Sequence, residues 1–322
     1  ATMINVGGWQ TAEINSVGKV ATSDCDGPAG LNNFVTKTYG TSYPSEVLLA
    51  QTWNKELAYE VGQSMGKEFA DVKNFGWYAP GMNTHRSAFA GRNFEYYSED
   101  GVLAGHLAKH QVNGASENGL YAYIKHFAVN DQECNREAFL MTFASEQAIR
   151  EIYLKPFELC VKGFEGDAQA CMSSYNFVGP VPMCANNDML NDILRDEWGF
   201  EGVVITDYDG SYGYMISDAC VRNGNDLMLG YGTAATNQFT NESATMALAM
   251  RQACKNIMYT IVNSGVYAGD TNPVGGLSNM DIIFLKVDVI AGVIIVGIGA
   301  AVIVRYILKK KKAAKAENSA EA

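Results

Sequence analysis

The sequence has no Cys-x-x-Cys pair, and its seven cysteines (25, 134, 160, 171, 184, 220 and 254) follow no regular spacing. This excludes a disulfide framework and a cysteine-ligated zinc site. An odd number of cysteines scattered through apolar segments reads as free, mostly buried thiols. No glycine-rich phosphate loop follows the first strand-like segment, so the usual mark of a doubly wound nucleotide-binding domain is missing. Positive charge is scarce: the net charge is −11 over 322 residues, and −14 over residues 1–308. An acidic body repels polyanions, so nucleic acid is not an expected partner. Internal repeats are absent, and no low-complexity stretch precedes the C-terminal tail.

What is present is a serial alternation of short apolar runs and amphipathic stretches. Strand-like segments end at Asp26, span 72–80, 121–127, 168–175 and 203–205, and close with 226–230. Helical spacing marks 44–71, where Ser45 is a plausible N-cap, then 101–117, 145–163, 187–198, 212–222 and 240–264. Six strand-then-helix units imply an α/β fold with a parallel sheet, closed or doubly wound. Without a phosphate loop the closed form is favoured: a (β/α)8-like TIM barrel over residues 1–264, complete or cut short at its N-terminus. The run Val203-Val-Ile-Thr-Asp207 suits a strand buried on both faces that ends in a carboxylate. In such barrels chemistry collects at the C-terminal ends of strands. Asp207 is therefore either a cap for the next helix or a candidate nucleophile.

Beyond a linker at 265–281, residues 282–308 are apolar except for Lys286, Asp288 and Arg305, with an unbroken apolar run of 16 residues from Val289 to Val304. A bilayer-crossing helix needs ~20 such residues, and the lysines at 309–312 mark a cytoplasmic side. The expectation is a single transmembrane helix at 282–308 in the lipid bilayer, a basic cytoplasmic tail at 309–322, and a body facing outward. No export signal is visible near Ala1, so the chain is expected to be the C-terminal part of a longer protein.

Polar and aromatic residues recur at the strand ends: Asp26, the 83–100 loop, Lys125-His126, Met172 to Tyr175, and Asp207. Together they offer hydrogen bonds for hydroxyls, aromatic surface for sugar faces, and a carboxylate able to attack an oxocarbenium-like centre. The pieces Asp26-Gly-Pro-Ala-Gly, Gly91-Arg-Asn-Phe-Glu-Tyr-Tyr-Ser-Glu-Asp100, Lys125-His-Phe127, Met172-x-x-Tyr-Asn176 and Trp198-Gly-Phe-x-Gly-x-Val-x-x-Asp207-Tyr resemble the barrel domain of glycoside hydrolase family 3. The resemblance covers about residues 5–262. It implies a retaining exo-β-glycosidase, with β-glucosidase the leading specificity and β-xylosidase the alternative. It acts on terminal β-linked sugars of an oligosaccharide or glycoside and needs no cofactor or metal. Asp207 would be the nucleophile, kept ionised by Lys125 and Arg92. Asp26, Arg92, Lys125 and His126 would hold sugar hydroxyls, with Met172 and Tyr175 lining the site. The family's general acid/base usually comes from a separate domain, expected here upstream of Ala1, so no residue is assigned to it. Glu133 is a possible stand-in acid, but pairing with Arg136 is the preferred reading. A catalytically silent, membrane-anchored sugar-binding barrel is the rival from another functional class.

Overall fold

The structure, a computed structural model, describes residues 4–7, 9–162, 169–209, 213–230, 239 and 243–268. The expected transmembrane helix at 282–308, the tail at 309–322 and most of the linker lie outside these residues. No helix among the described residues is long and apolar enough to cross a membrane.

Seven parallel strands form the frame: β1 (Asn5–Gly7), β2 (Thr22–Asp26), β3 (Gly76–Tyr78), β4 (Tyr121–Phe127), β5 (Gln169–Ser173), β6 (Val203–Thr206) and β7 (Met228–Gly230). From β2 to β6 each strand pairs with the next, β6 bridges to the segment entering β7, and β7 pairs with β1. Gln10–Thr11, just after β1, runs antiparallel to Thr22–Ser23 and brings the chain back onto β2. The ring is thus TIM-barrel-like, as expected, with one short antiparallel segment among parallel strands. β1 is the strand that the glycine-rich opening concealed.

The strands alternate with period two, and both faces are apolar. Tyr78, Tyr121, Tyr123, Ala170, Met172, Val203 and Ile205 form one cluster, facing inward. Trp77, Ala122, Ile124, Cys171 and Val204 join another, facing the helices. Burial on both faces explains why segments such as Val203–Ile205 read as continuous apolar runs rather than alternating ones. The longer helices among the described residues are α1 (Glu46–Ala50), α2 (Lys55–Asp71), α3 (Gly101–Ser116), α4 (Lys155–Lys162), preceded by a short helical stretch over Glu146–Ala148 and Ile149–Tyr153, the wide-turned α5 (Asp188–Glu197), α6 (Ser217–Arg222) and α7 (Ala244–Val262).

The single helix expected at 44–71 is two. Trp53 adopts a left-handed backbone, and Asn54 restarts the helix by accepting the Leu57 amide at 3.0 Å. Ser45 stands at the first N-cap but makes no side-chain cap. The first residues of the expected linker are seated rather than loose: Gly265 donates its amide to the Gly119 carbonyl at 2.8 Å. All seven cysteines are free, and five are buried.

Candidate active site

Every polar residue singled out above falls at the C-terminal end of a strand or in the loop that follows it. Asp26 closes β2, Lys125 and His126 fall near the end of β4, and Tyr175 and Asp207 follow β5 and β6. Arg92 lies in the loop from β3 to α3. That loop is pinned beside β4, because Met82 donates its amide to the Lys125 carbonyl at 2.8 Å and Lys125 donates to the Pro80 carbonyl at 3.1 Å.

Asp207 is 8% exposed. Its Oδ1 accepts the neighbouring Tyr208 amide at 2.7 Å. The next helix begins only at Ser217, with Ile216 at its N-cap, so Asp207 does not cap it. Its Oδ2 lies 3.7 Å from His126 Nε2 and 3.8 Å from Arg136 Nη1. Oδ2 and Arg136 Nη1 are both buried without a hydrogen-bond partner. A buried acceptor and a buried donor left open beside each other are costly unless a ligand completes them.

The surrounding charges are interlocked. Arg92 donates to Glu95 through Nε (2.8 Å) and Nη2 (2.9 Å). Lys125 Nζ meets Glu95 Oε1 at 3.1 Å. Burial works against a charged Glu95, yet Lys125 and Arg92 outweigh it and hold its pKa at about 2. Glu133 pairs with Arg136 at 3.0 Å and lies 3.8 Å from Arg92, so it acts as a brace between two guanidiniums, as preferred over the stand-in acid. Arg136 also packs over the Tyr175 ring, 4.4 Å from its centroid, and the Tyr175 hydroxyl donates to the Tyr208 carbonyl at 2.6 Å.

His126 is fixed at both ends. Its backbone exchanges hydrogen bonds with the Asn83 side chain, and its Nδ1 lies 3.1 Å from the Tyr96 hydroxyl. Burial first, then Arg92, Lys125 and Arg136, push its pKa well below the imidazole range, so the ring is neutral and can offer one donor.

Lys125 and Arg92 were expected to hold Asp207 ionised. Both cations favour its charged form, but burial outweighs them and raises its pKa; Arg136 is the strongest opposing charge, then Arg92, with Lys125 weaker. Met172, 3% exposed, belongs to the inward-facing cluster. Asp26 lies on the other side of the ring, where its Oδ2 accepts from Trp9 Nε1 at 3.4 Å. The Trp9 ring stacks on Tyr208 at 6.0 Å, linking Asp26 to the neighbourhood of Asp207. Sequence reading missed Arg136 and Glu95 as site residues. The available signal was Arg136 three residues after Glu133 in a loop following a barrel strand.

Fold and site together define a class: a TIM-barrel-like protein with a buried carboxylate at a strand end, ringed by cations and aromatics in the manner of glycoside hydrolases. Residues 19–231 match the family described as glycosyl hydrolase family 3 N terminal domain. Beta-glucosidase A of Butyrivibrio fibrisolvens is 44% identical over 234 residues, covering 71% of this chain and 27% of that protein. Beta-glucosidase B of Emericella nidulans is 38% identical over 205 residues, 63% of this chain and 24% of that one. Among solved structures, beta-glucosidase 3B from Thermotoga neapolitana in complex with glucose superposes with a TM-score of 0.70 at 35% identity, covering 82% of this chain and 39% of its own. The chain belongs to glycosyl hydrolase family 3. It spans about a quarter of the length of these curated relatives.

Proposed function

We propose that this chain carries the nucleophile and most of the sugar-binding set of a retaining exo-β-glucosidase, with the general acid/base supplied from outside it. The observation that carries this reading is the open pair at the strand ends, Asp207 Oδ2 and Arg136 Nη1, buried and unpartnered. A sugar seated there would take hydrogen bonds from Arg136, Lys125, Arg92 and neutral His126, and would give them to Asp26. Tyr175 holds the Arg136 guanidinium and the Tyr208 backbone in place. Asp207 Oδ2 attacks the anomeric carbon as the bond to the leaving oxygen breaks, giving a covalent glycosyl–aspartate. Water then displaces Asp207 from the opposite face, and the sugar leaves with its original configuration. The leaving oxygen needs a proton unless it is strongly activated. Among the described residues near Asp207, Glu95 and Glu133 are held in ion pairs, which favours an acid from elsewhere.

Those ion pairs also favour a second reading, a sugar-binding barrel without turnover. A strongly activated aryl β-glucoside separates the two, because its leaving group departs unprotonated. The expected result is a burst of about one equivalent of phenolate per active chain, lost in Asp207→Asn. Retained glucose binding with no burst would support the second reading. The apolar run at 282–308 followed by Lys309–Lys312 supports a membrane-anchored enzyme with its barrel outside the cell and its tail in the cytoplasm. Fusion of residues 282–322 to a reporter, with protease protection of the tail, tests that orientation.

A further inference from the structure

We infer that Glu95 is the positioning residue for both Arg92 and Lys125, an inference that rests on the sugar-binding role proposed for those two cations. Glu95 comes from the same loop as Arg92, and it is 5% exposed. It grips the Arg92 guanidinium through Nε and Nη2, at 2.8 and 2.9 Å, which fixes the plane of the group. Its Oε1 also takes the ammonium of Lys125 at 3.1 Å. Lys125 sits on a long flexible stem and is 4% exposed; among the described residues Glu95 is its one ion-pair partner. One carboxylate therefore sets the direction of two cations from different elements. The next residue, Tyr96, aims its hydroxyl at His126 Nδ1 at 3.1 Å, so a single turn orients three of the proposed sugar contacts.

Glu95 also sets the local charge balance. Facing this centre are Arg92 from its own loop, Lys125 and His126 from β4, Glu133 and Arg136 from the loop after β4, Asp207 after β6, and the buried Glu46 of α1. With Glu95 charged, part of the positive charge of Arg92 and Lys125 is offset, although both still favour the ionised form of Asp207. Removing that charge while keeping the shape frees both cations. They then leave their fixed positions, and Asp207 becomes easier to ionise.

The test uses the full chain and two variants, Glu95→Gln and Glu95→Asp. Glucose affinity is measured by calorimetry, and labelling by a fluorinated dinitrophenyl β-glucoside is followed across pH, per folded molecule. Glu95→Gln should lower the labelling rate about 100-fold through misplaced cations, weaken glucose binding, and move the acidic limb of the pH profile to lower pH. Glu95→Asp keeps the charge but withdraws it by one methylene. It should lose affinity with the acidic limb unmoved, and it carries the test if Glu95→Gln does not fold. A melting temperature lowered in both variants, with wild-type affinity, rate and pH profile, overturns the inference and leaves Glu95 merely structural. A wild-type chain that neither binds glucose nor labels overturns the proposed function beneath it, a result readily told apart from the other.

Discussion

Asp24 lies two residues before Asp26 on the same inward face of β2, sealed from solvent and bonded by the hydroxyls of Tyr121 and Tyr123. Burial raises its pKa to about 6 despite those two donors and the charge of Lys19. Its ordinary value is 3.8, so the sign of the linkage is fixed. Below pH ~4 the carboxyl is protonated in both the folded and unfolded chain, and its burial costs no charge. Between pH ~4 and ~6 the folded chain keeps a proton that the unfolded chain releases, so stability falls as pH rises; above that range the penalty is complete. A shift of about two units corresponds to about 3 kcal/mol. Urea unfolding of wild type and Asp24→Asn at pH 4 and pH 7 should show the difference between them moving by about this amount in favour of the variant at neutral pH. A difference that does not change with pH contradicts the assignment. Asp226, also raised to about 6 by burial, titrates in the same direction and remains in both proteins.

Between α2 and α3, backbone meets backbone. A Cβ built at Gly62 would overlap the Gln111 carbonyl, and one at Gly114 would overlap the Tyr59 carbonyl. Gly62→Ala gains helix propensity but meets rigid backbone, so it should destabilise by about 1–3 kcal/mol. For a domain of this size that lowers the melting temperature by about 2–4 °C per kcal/mol. A melting temperature unchanged or raised in Gly62→Ala would contradict the close crossing. Elements like these were legible to different degrees in the sequence. Tyr121–Phe127 and Val203–Thr206 could be read directly, because strands buried on both faces are mostly apolar and here carry their polar residues only toward the C-terminal end. β1 could not, since a strand of three residues inside a glycine-rich segment has no period to detect. The break at Trp53 and Asn54 was hidden because apolar spacing continues across it, and only the Asn54 cap marks the restart. At the site, the strand-end residues were legible from position alone. Arg136 and Glu95 were not, because their roles depend on which loops meet: Arg136 reads as a local partner of Glu133 until β4 and β6 bring it to Asp207.

Across the whole molecule, ring closure depends on the first dozen residues. β1 covers the edge of β7, and Gln10–Thr11 covers the edge of β2. Removing residues 1–11 uncovers both edges and the apolar surface that Ile4 helps to fill. The shortened chain should show a lower melting temperature and concentration-dependent association by light scattering; a monomer that melts like the full chain would contradict closure through β1. The site draws on several loops at one end of this ring, so closure and chemistry are linked. Asp207 has His126 and Arg136 beside it within the chain, and its acid is proposed to lie outside it. The most direct measurement is the site of covalent capture by a fluorinated dinitrophenyl β-glucoside, located by mass spectrometry of the digested chain. A single sugar attached to Asp207, and absent from Asp207→Asn, is the predicted result. Attachment at another residue, or none in a folded chain that still binds glucose, would contradict Asp207 as the nucleophile.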